Sequence, residues 1–398
     1  MVLKQLLKDI DKIYFKGGKE MVAQKKRVLF LLSNMGKGGI QSLTSVLSKE
    51  LSNYSNLKID LLTFYPLEEY PFYGDKFCFN IPSSNNLLVL LKDFFKKIWL
   101  INKHIKSHDY NIVYASSRIP SFFVLMSKFV FRFKSPVIIA FHSSIELENK
   151  ALGLKGRLAL LTAKYLSKYS SKFHCVSQGI ASELKGLGFD KNKIITIYNA
   201  VDIETISLLS KENIESKNEF FFRDNNIIIS IGRFEKQKNY TFLLKAFSKL
   251  PQDLKCKLVL IGEGKEEAIL KKLIIDLNLQ DDVLLLGWQS NPFKYLTRST
   301  IFTLTSLWEG FGNVIIEAMA CNLPVLSSDC FYGPNEIIKN YENGILFKPD
   351  DTDGFIEGVN KLIKNKQIRE NIIKNSYGRA ADFSVKKIAK EYKKMFLN

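Results

Sequence analysis

Two glutamates, Glu309 and Glu317, stand on either side of a glycine-containing turn, with seven residues between them. A predicted strand ends just before the turn, and a predicted helix follows it. Gly310 and Gly312 allow the backbone to approach a ligand closely, and the free N–H groups at the start of the helix attract an anion. The two carboxylates can accept hydrogen bonds from sugar hydroxyls at different points of one extended ligand. The alternative is two solvated surface charges, the usual environment of glutamate.

Two basic residues follow a predicted strand that ends at Gly232. Arg233 comes directly after the strand, and Lys238 precedes a helix that is predicted to begin near Tyr240. A guanidinium group can bind a diphosphate through two hydrogen bonds, and a lysine adds a positive charge beside it. The pair therefore predicts an anion-binding turn in the same half of the chain as the two glutamates.

The first half of the chain contributes a glycine-rich turn and one histidine. Gly38 and Gly39 lie where another predicted strand joins a helix, and both would let the backbone approach a phosphate. The turn lacks the third glycine of a dinucleotide fingerprint and the Lys-Ser ending of a Walker loop, so alone it identifies no ligand. His142 follows the predicted strand 137–141 and is expected at the edge of an interdomain cleft. A single histidine is more often structural than catalytic, so the residues alone leave its role open.

Short apolar, β-branched runs alternate with longer amphipathic stretches along the chain, a pattern typical of parallel sheets built from βα units. In the first half, strands are predicted at 27–33, 58–63, 112–115, 137–141, 172–176 and 193–198. In the second half, they are predicted at 227–232, 257–262, 283–287, 301–305, 324–328 and 344–347. Predicted helices, such as 40–52 and 177–187, lie between these strands. The fold class is therefore α/β.

A chain of 398 residues exceeds what one hydrophobic core usually organises, so two domains are expected. We predict a first Rossmann-like domain at 1–205, a second at 206–384, and a final helix at 385–398 that crosses back to the first domain. The polar stretch 204–226 lacks a strand pattern and is interpreted as the connection. Two doubly wound domains that face each other place a ligand cleft at the carboxyl ends of both sets of strands.

The net charge of +18 is unevenly distributed. Residues 1–200 contain 30 Lys and Arg against 14 Asp and Glu, whereas the remainder contains 28 against 26. A basic half suits nucleic acid, an anionic membrane or an acidic substrate. The alternative is solubility combined with a lysine-rich genome. Five scattered cysteines argue for a reducing compartment and against a disulfide framework or a zinc site. No apolar run is long enough to span a membrane.

Two segments of the basic half combine apolar side chains and lysines at helical spacing, namely residues 1–20 and residues 87–106. The second mixes Leu, Phe, Ile and Trp99 with five lysines. Both could lie in a membrane interface with the lysines toward anionic headgroups. Both could equally be surface helices that pack on the core of the protein. Met21 is an alternative start of the chain, which would make the first segment an extension.

The motifs together resemble the signature of retaining GT-B glycosyltransferases of family 4. The resemblance rests on Glu309-Gly310-Phe311-Gly312, on Glu317-Ala318-Met319-Ala320-Cys321-Asn322-Leu323-Pro324-Val325, on the stretch from Gly232-Arg233 to Lys238, and on the Gly38-Gly39 turn. It covers nearly the whole chain and implies two doubly wound Rossmann-like domains that face each other across a cleft. Asn239 and Asn322 depart from the pattern, because glycine is common in the family at both positions.

The resemblance implies a role for each residue of the site. Glu317 would bind the ribose hydroxyls of a nucleotide, and Glu309 would lie against the transferred sugar. Arg233 and Lys238 would neutralise the diphosphate, and His142 would lie near the donor sugar and the acceptor. Further contacts, several of them through the backbone, would come from Gly38, Gly39, Phe311, Gly312 and Asn313.

The resemblance also implies that a hexose or N-acetylhexosamine moves from a UDP-sugar to a glycan acceptor with retention of configuration. Residues 329–338 resemble members that use UDP-galactose-type or UDP-N-acetylhexosamine donors. Gly333 in this stretch could bring backbone near the uracil or phosphate, or could form a plain turn. No DxD-type pair occupies a plausible metal site, and the cationic side chains supply the counter-charge. We therefore expect no metal and no other cofactor.

The expected acceptor is a glycan linked to polyprenyl diphosphate, in the synthesis of a cell-surface polysaccharide such as O-antigen or capsule. The basic half would then hold the protein at the inner face of the cytoplasmic membrane. One alternative is a UDP-sugar epimerase or a phosphorylase on the same fold, although neither extra acid–base carboxylates nor a pyridoxal-phosphate lysine can be identified. A nucleic-acid-binding protein is a further alternative, but no known nucleic-acid module is present, and we expect no nucleic-acid partner.

Overall fold

A computed structural model describes residues 25–81, 87–147, 153–223 and 225–398. The amphipathic segment 1–20 and the alternative start Met21 lie outside the described residues. No helix in the described ranges is both long and apolar enough to cross a lipid bilayer.

The first domain is built on a parallel sheet whose apolar strands are buried between helices. Its seven strands are β1 (Lys26–Leu32), β2 (Leu57–Thr63), β3 (Asp75–Cys78), β4 (Ile112–Ser116), β5 (Val137–Phe141), β6 (Lys172–Cys175) and β7 (Ile194–Thr196). Their order is β3-β2-β1-β4-β5-β6-β7. The chain changes direction across the sheet between β1 and β4, and the carboxyl ends of such neighbours form a crevice. The glycine-rich turn follows β1 and therefore lies at this crevice.

The helices of the first domain cover both faces of its sheet. They are α1 (Gly39–Leu51), α2 (Leu87–His108), α3 (Arg118–Phe131), α4 (Gly153–Ser167) and α5 (Gln178–Gly186). On one face, α2 packs on α3, and α3 packs on α4. Ile101 and Ile105 of α2 are fully buried in the core beneath this layer, so one side of the helix is structural.

The second domain repeats the architecture with six parallel strands. They are β8 (Asn226–Ile231), β9 (Cys256–Ile261), β10 (Val283–Gly287), β11 (Ile301–Leu304), β12 (Val325–Ser328) and β13 (Ile345–Phe347), in the order β10-β9-β8-β11-β12-β13. The direction changes between β8 and β11. Because Arg233 follows β8 and Glu309 follows β11, both residues lie at the crevice of this sheet.

Ten further α-helices lie in the rest of the described chain. They are α6 (Ile203–Leu209), α7 (Ser216–Phe222), α8 (Tyr240–Phe247), α9 (Glu267–Asp276), α10 (Phe293–Leu296), α11 (Asn313–Ala320), α12 (Pro334–Ile337), α13 (Thr352–Lys364), α14 (Lys366–Asp382) and α15 (Val385–Leu397). The last of them, α15, packs against α1 of the first domain, and Ala389, Tyr392 and Phe396 are fully buried there. The Phe396 ring meets the Phe30 ring of β1 edge-on at 5.9 Å.

The two-domain α/β prediction is confirmed, and all twelve predicted strands agree with observed strands within about two residues. The sequence missed β3, a four-residue edge strand with largely exposed side chains. It also gave no structure to 204–226, where α6 and α7 form. These helices are held to the second domain, since Lys294 pairs with Glu215 at 2.9 Å and Asn291 donates to the Leu209 carbonyl at 2.9 Å. The exact domain boundaries stay predictions.

Candidate active site

The turn after β11 leads into α11 without a side-chain cap. Gly312 is the N-cap residue, and its φ of 103° and ψ of 52° lie in the left-handed region that favours glycine. No side chain caps the helix, so the N–H groups of Asn313 and Val314 remain available to an anion, whereas that of Ile315 donates to the Gly312 carbonyl at 2.9 Å. Phe311 is only 2% exposed, so its backbone, rather than its ring, can face a ligand. These features fit the predicted backbone contacts at 311–313.

A buried ion pair lies beneath this turn. Lys238 Nζ is 2.5 Å from Glu309 Oε1, and the two side chains are 13% and 8% exposed. Ser306 Oγ donates to the same Glu309 oxygen at 2.6 Å. Removing both charges from water is unfavourable unless they remain paired and hydrogen-bonded, so this arrangement fixes both side chains.

Backbone contacts join the Lys238 turn to the Glu309 turn. Leu307 N–H donates to the Gln237 carbonyl at 2.8 Å, and Gln237 Nε2 donates to the Trp308 carbonyl at 2.7 Å. Thr305 Oγ1 donates to the Lys238 carbonyl at 3.0 Å. The predicted anion turn and the predicted sugar contact therefore form one rigid unit.

Arg233 lies at the end of β8, and its side chain is exposed. Within the described ranges it forms no ion pair with an acidic residue. A guanidinium that is not already neutralised remains able to bind a phosphate bidentately. Of the two predicted diphosphate ligands, Arg233 is thus the one whose charge is not already matched by a carboxylate.

Glu317 lies about one turn inside α11 and is half-buried. Burial raises the pKa of its carboxyl to about 7. Across the cleft, burial and then the charge of Glu317 raise the pKa of Tyr70, which follows β2 of the first domain. Tyr70 and Glu317 are therefore close enough to interact electrostatically. No motif or spacing had indicated Tyr70 as a residue of the site.

The glycine-rich turn of the first domain reaches the second domain through Lys37. Its Nζ is 3.0 Å from Glu263 Oε1 and 4.4 Å from the centre of the Trp288 ring. Gly38 has φ 157° and ψ 161° at the N-cap of α1. A Cβ on Gly39 would meet no atom within 4 Å, so open space lies beside this turn.

His142 lies where the two domains touch. A Cβ on Gly310 would lie 1.8 Å from the His142 carbonyl oxygen, so only glycine permits this approach. Burial, reinforced by the positive form of nearby His174, lowers the pKa of His142 to about 3. Its Nε2 atom is buried and has no hydrogen-bond partner among the described residues. His142 is thus a neutral imidazole with one unused polar atom.

Two further cross-domain contacts were not foreseen. Asn199 Nδ2 donates to Asn313 Oδ1 at 2.8 Å, which holds the first residue of α11. The rings of Tyr198 and Phe311 stack with their centres 5.1 Å apart. Both Tyr198 and Asn199 follow the carboxyl end of β7. The rule that parallel strands present ligand-binding loops at their carboxyl ends was the one signal that could have indicated them.

Comparisons with known proteins agree with this geometry. Residues 38–205 match the family described as Glycosyltransferase Family 4, and residues 211–379 match that described as Glycosyl transferases group 1. Glycosyltransferase MJ1059 of Methanocaldococcus jannaschii is 34% identical over 281 residues, which are 62% of this chain and 68% of that protein. The chain belongs to the GT-B glycosyltransferases of family 4.

Two further relatives and one solved structure align with this glycosyltransferase. N-acetylgalactosamine-N,N'-diacetylbacillosaminyl-diphospho-undecaprenol 4-alpha-N-acetylgalactosaminyltransferase of Campylobacter jejuni is 34% identical over 56% of this chain and 58% of its own. The amylovoran biosynthesis glycosyltransferase AmsD of Erwinia amylovora is 26% identical over 92% of this chain and 98% of its own length. Anabaena Alr3699/HepE, in complex with UDP and glucose, superposes with a TM-score of 0.77 at 21% identity, covering 93% of this chain and 99% of that one.

The two departures of this glycosyltransferase from the family pattern have a conformational explanation. Asn239 has φ 54° and Asn322 has φ 57°, both in the left-handed region. Asparagine tolerates this region better than other residues with a side chain. The substitutions therefore preserve the backbone that glycine would allow, and neither removes a charge from the site.

Gly333 serves the turn rather than a visible ligand space. Its φ is 97°, and a Cβ there would lie 2.1 Å from the Phe311 carbonyl oxygen. Of the two interpretations offered for Gly333, the geometry favours a packed turn. Among the residues that the structure describes, no group of three His, Cys, Asp or Glu side chains is placed to hold a metal ion.

Proposed function

We propose that this glycosyltransferase transfers a hexose or N-acetylhexosamine from a UDP-sugar to a glycan acceptor with retention of configuration. The observation that carries the proposal is the Lys238–Glu309 pair beneath the uncapped start of α11, with His142 of the other domain against Gly310. This arrangement offers anion-binding groups, a carboxylate and a neutral histidine around one space. The HepE structure is a complex with UDP and glucose, and this supports a uridine nucleotide here.

In the proposed reaction, the bond between the anomeric carbon and the diphosphate oxygen breaks. The bonding electrons pass to the leaving diphosphate, whose growing charge is stabilised by Arg233, Lys238 and the N–H groups of α11. The acceptor oxygen attacks from the side of the leaving group, and the departing phosphate accepts its proton. Glu309 is already paired with Lys238, so we assign it to positioning the sugar and not to a covalent intermediate.

A panel of UDP-, GDP- and ADP-sugars, scored by thermal shift, tests the donor assignment. We expect saturable stabilisation by a UDP-sugar that is lost in Glu317→Ala and Arg233→Ala. Lys236→Ala is a matched control, because Lys236 is an exposed cation near the same turn. Stabilisation by GDP- or ADP-sugars alone would contradict the assignment to uridine. Incubation with the UDP-sugar and no acceptor separates transfer from epimerisation, because only an epimerase would change the sugar.

We further propose that turnover needs no metal ion, because Arg233 and the N–H groups at the start of α11, with the Lys238–Glu309 pair beside them, stabilise the charge of the diphosphate. Turnover should be unchanged after dialysis against a chelator. Complete loss of turnover in the chelator, restored by a divalent cation, would contradict this.

We propose that the acceptor is linked to polyprenyl diphosphate. We also propose that the first domain binds the anionic inner face of the cytoplasmic membrane. The helix layer α2–α4 supports this, since it exposes Phe95, Trp99, Leu158, Leu161 and Tyr165. Lysines accompany them: Lys103 lies 5.1 Å from the Trp99 ring centre, and Lys168 lies 3.8 Å from that of Tyr165. Apolar side chains interleaved with lysines suit anionic headgroups. The C. jejuni relative is named for a diphospho-undecaprenol substrate, which supports a lipid-linked acceptor here.

Flotation with vesicles tests membrane binding. Vesicles containing phosphatidylglycerol should carry the protein upward, and neutral phosphatidylcholine vesicles should not. Trp99→Glu should abolish flotation, because it places a negative charge in the apolar face. Phe220→Glu is a matched control, since Phe220 is an 82% exposed aromatic on the second-domain side. Equal flotation with neutral and anionic vesicles would contradict an electrostatic role for the lysines.

A further inference from the structure

The N-terminus of α5, in the first domain, is completed by a residue of the second domain. Gln178 N–H donates to Glu336 Oε2 at 2.7 Å, and Gly179 N–H donates to Glu336 Oε1 at 2.8 Å. The next N–H of the helix, from Ile180, donates to the Ser177 hydroxyl at 3.3 Å. A carboxylate at this end of a helix is favoured by both the free N–H groups and the helix dipole. One carboxylate thus bridges the two domains.

Contacts around Glu336 show that the domains approach closely here. A Cβ on Gly179 would lie 2.2 Å from Tyr332 Cδ1, so the Tyr332 ring of the second domain lies directly on the α5 backbone. Burial, the charge of Glu336 and a hydrogen bond to its carboxylate raise the pKa of the Tyr198 hydroxyl. Two N–H groups and one hydroxyl, all from residues before 206, therefore converge on Glu336.

Backbone contacts link the segment of Glu336 to the turn that carries Glu309. It lies in α12, whose carbonyls at Glu336 and Ile337 accept from Arg379 at 2.7 and 3.1 Å. Five residues earlier, the Phe331 carbonyl accepts the Glu309 N–H at 3.0 Å. Residue 310, which follows Glu309, is the glycine that touches His142. A change in the position of Glu336 is thereby transmitted to the place where the two halves of the site meet.

We propose that Glu336 is a positioning residue, whose bidentate contact with α5 sets the distance between His142 and the turn that carries Glu309. The Glu336 carboxylate is already bound by two N–H groups and a hydroxyl of the first domain, so we assign it to the domain arrangement and not to contact with a substrate. When the domains separate, its carboxylate and the two N–H groups must be hydrated instead. The free energy of the contact therefore favours the arrangement in which both domains face one ligand.

Small-angle X-ray scattering of the ligand-free protein tests the domain contact. We expect Glu336→Ala to give a larger radius of gyration than the natural protein and Glu336→Gln to lie between them, because glutamine retains one acceptor oxygen. Gly179→Ala should reproduce the expansion through its clash with Tyr332. Gly186→Ala is the matched control, since it lies in the same helix and a Cβ there meets no atom within 4 Å.

The ligand-binding effect is measured with UDP by calorimetry. Losing hydrogen bonds to a charged group should weaken UDP binding about tenfold in Glu336→Ala and about threefold in Glu336→Gln. Amide exchange at Gln178 and Gly179 should accelerate in both variants. Scattering and exchange need no nucleotide, so they decide the inference even if the protein binds no uridine nucleotide.

Two results would overturn the proposal. One is a scattering profile of Glu336→Ala and Gly179→Ala that matches the natural protein. The other is a lower melting temperature of Glu336→Ala with no increase in the radius of gyration of either variant. That result would show that Glu336 only caps α5 and does not position the domains. Should Glu336→Ala fail to fold, Glu336→Gln and Gly179→Ala still provide the comparison.

Discussion

Lys238 Nζ lies 2.5 Å from Glu309 Oε1. The lysine that the family resemblance assigns to the diphosphate is thus already neutralised by the carboxylate assigned to the sugar. A nucleotide that enters the cleft meets this paired lysine, the N–H groups at the start of α11, and Arg233, which forms no ion pair among the described residues. The pair is held in place by the Ser306 hydroxyl and by its burial.

Replacing Lys238 by methionine should harm both stability and turnover. It leaves Glu309 buried without its cation, which costs about 3 kcal/mol of the free energy of unfolding. Turnover should fall at least about 100-fold, as expected for loss of a group that stabilises developing charge. Chemical denaturation and initial rates measure the two effects.

The double variant Lys238→Met/Glu309→Gln separates the loss of stability from the loss of turnover, because no buried charge remains unpaired in it. It should regain most of the stability and none of the turnover. Lys236→Met, at an exposed site of the same turn, should change neither. Stability unaffected in Lys238→Met would show that the ion pair contributes little to the fold.

Donor binding should weaken as the pH falls below about 7. Burial raises the pKa of Glu317 to about 7, and ribose hydroxyls that donate to it favour the ionised form. The dissociation constant of the preferred UDP-sugar should rise by up to about tenfold per pH unit below pH 7 and stay constant above pH 8. Calorimetry between pH 5.5 and 8.5 measures this dependence, which Glu317→Gln should abolish. A dependence retained in Glu317→Gln would assign the titration to another group.

Gly310→Ala should separate the domains without unfolding them. The new Cβ would lie 1.8 Å from the backbone carbonyl of His142, which cannot rotate away as a side chain would. We expect turnover to fall at least about 100-fold, because displacement by about 1 Å is enough to disturb a catalytic arrangement. Gly378→Ala is the control: it lies in α14, and a Cβ there meets nothing within 4 Å. Turnover within twofold of normal in Gly310→Ala would contradict a close contact at this point.

Stability should decrease in mild acid. Burial lowers the pKa of His104 and His174 to about 4 and that of His142 to about 3. All three bind protons in the unfolded chain below about pH 6.5, so folding is favoured above that pH and disfavoured as the pH falls toward 4. Glu317 acts in the opposite direction between about 4.5 and 7, because its pKa is raised in the folded state.

The net difference of about two protons predicts that the free energy of unfolding falls by about 3 kcal/mol per pH unit near pH 5.5. Urea denaturation at pH 7.5, 6.5 and 5.5 measures it. Glu317→Gln removes the opposing group and should steepen the decrease. A free energy of unfolding that is constant over this range would show that the histidines are accessible to protons in the folded state.

Local patterns predicted the fold well, and in the second domain they also predicted the turns that carry Arg233 and Glu309. Strands such as β8 and β11 are short and apolar, and the carboxyl-end rule then places the turns after them, which carry Arg233 and Glu309, at the same edge of the sheet. The roles of these residues stay predictions. The edge strand β3 was missed because exposed strands lack an apolar pattern, and α6 and α7 were missed because each has only seven residues.

Contacts between the domains could not be predicted from the sequence. Nothing near Gly310 in the chain indicates that its neighbour is the carbonyl of residue 142, and nothing near Glu336 indicates the N-terminus of α5. Such contacts depend on the relative placement of two separately folded sheets. Periodicity in the sequence indicates which side of a helix or strand is buried, but it does not indicate which other element packs against that side.

The packing of α15 has a consequence for how the protein is made. Ala389, Tyr392 and Phe396 fill the core beneath β1, although about 350 residues separate this helix from that strand in the chain. During translation, the first sheet is synthesised early, but the α15 residues that complete its core are synthesised only after the second domain. Domains usually fold in the order in which they are translated. Here the first domain is translated first but completed last. Premature termination after residue 384 would therefore remove part of the core of the first domain.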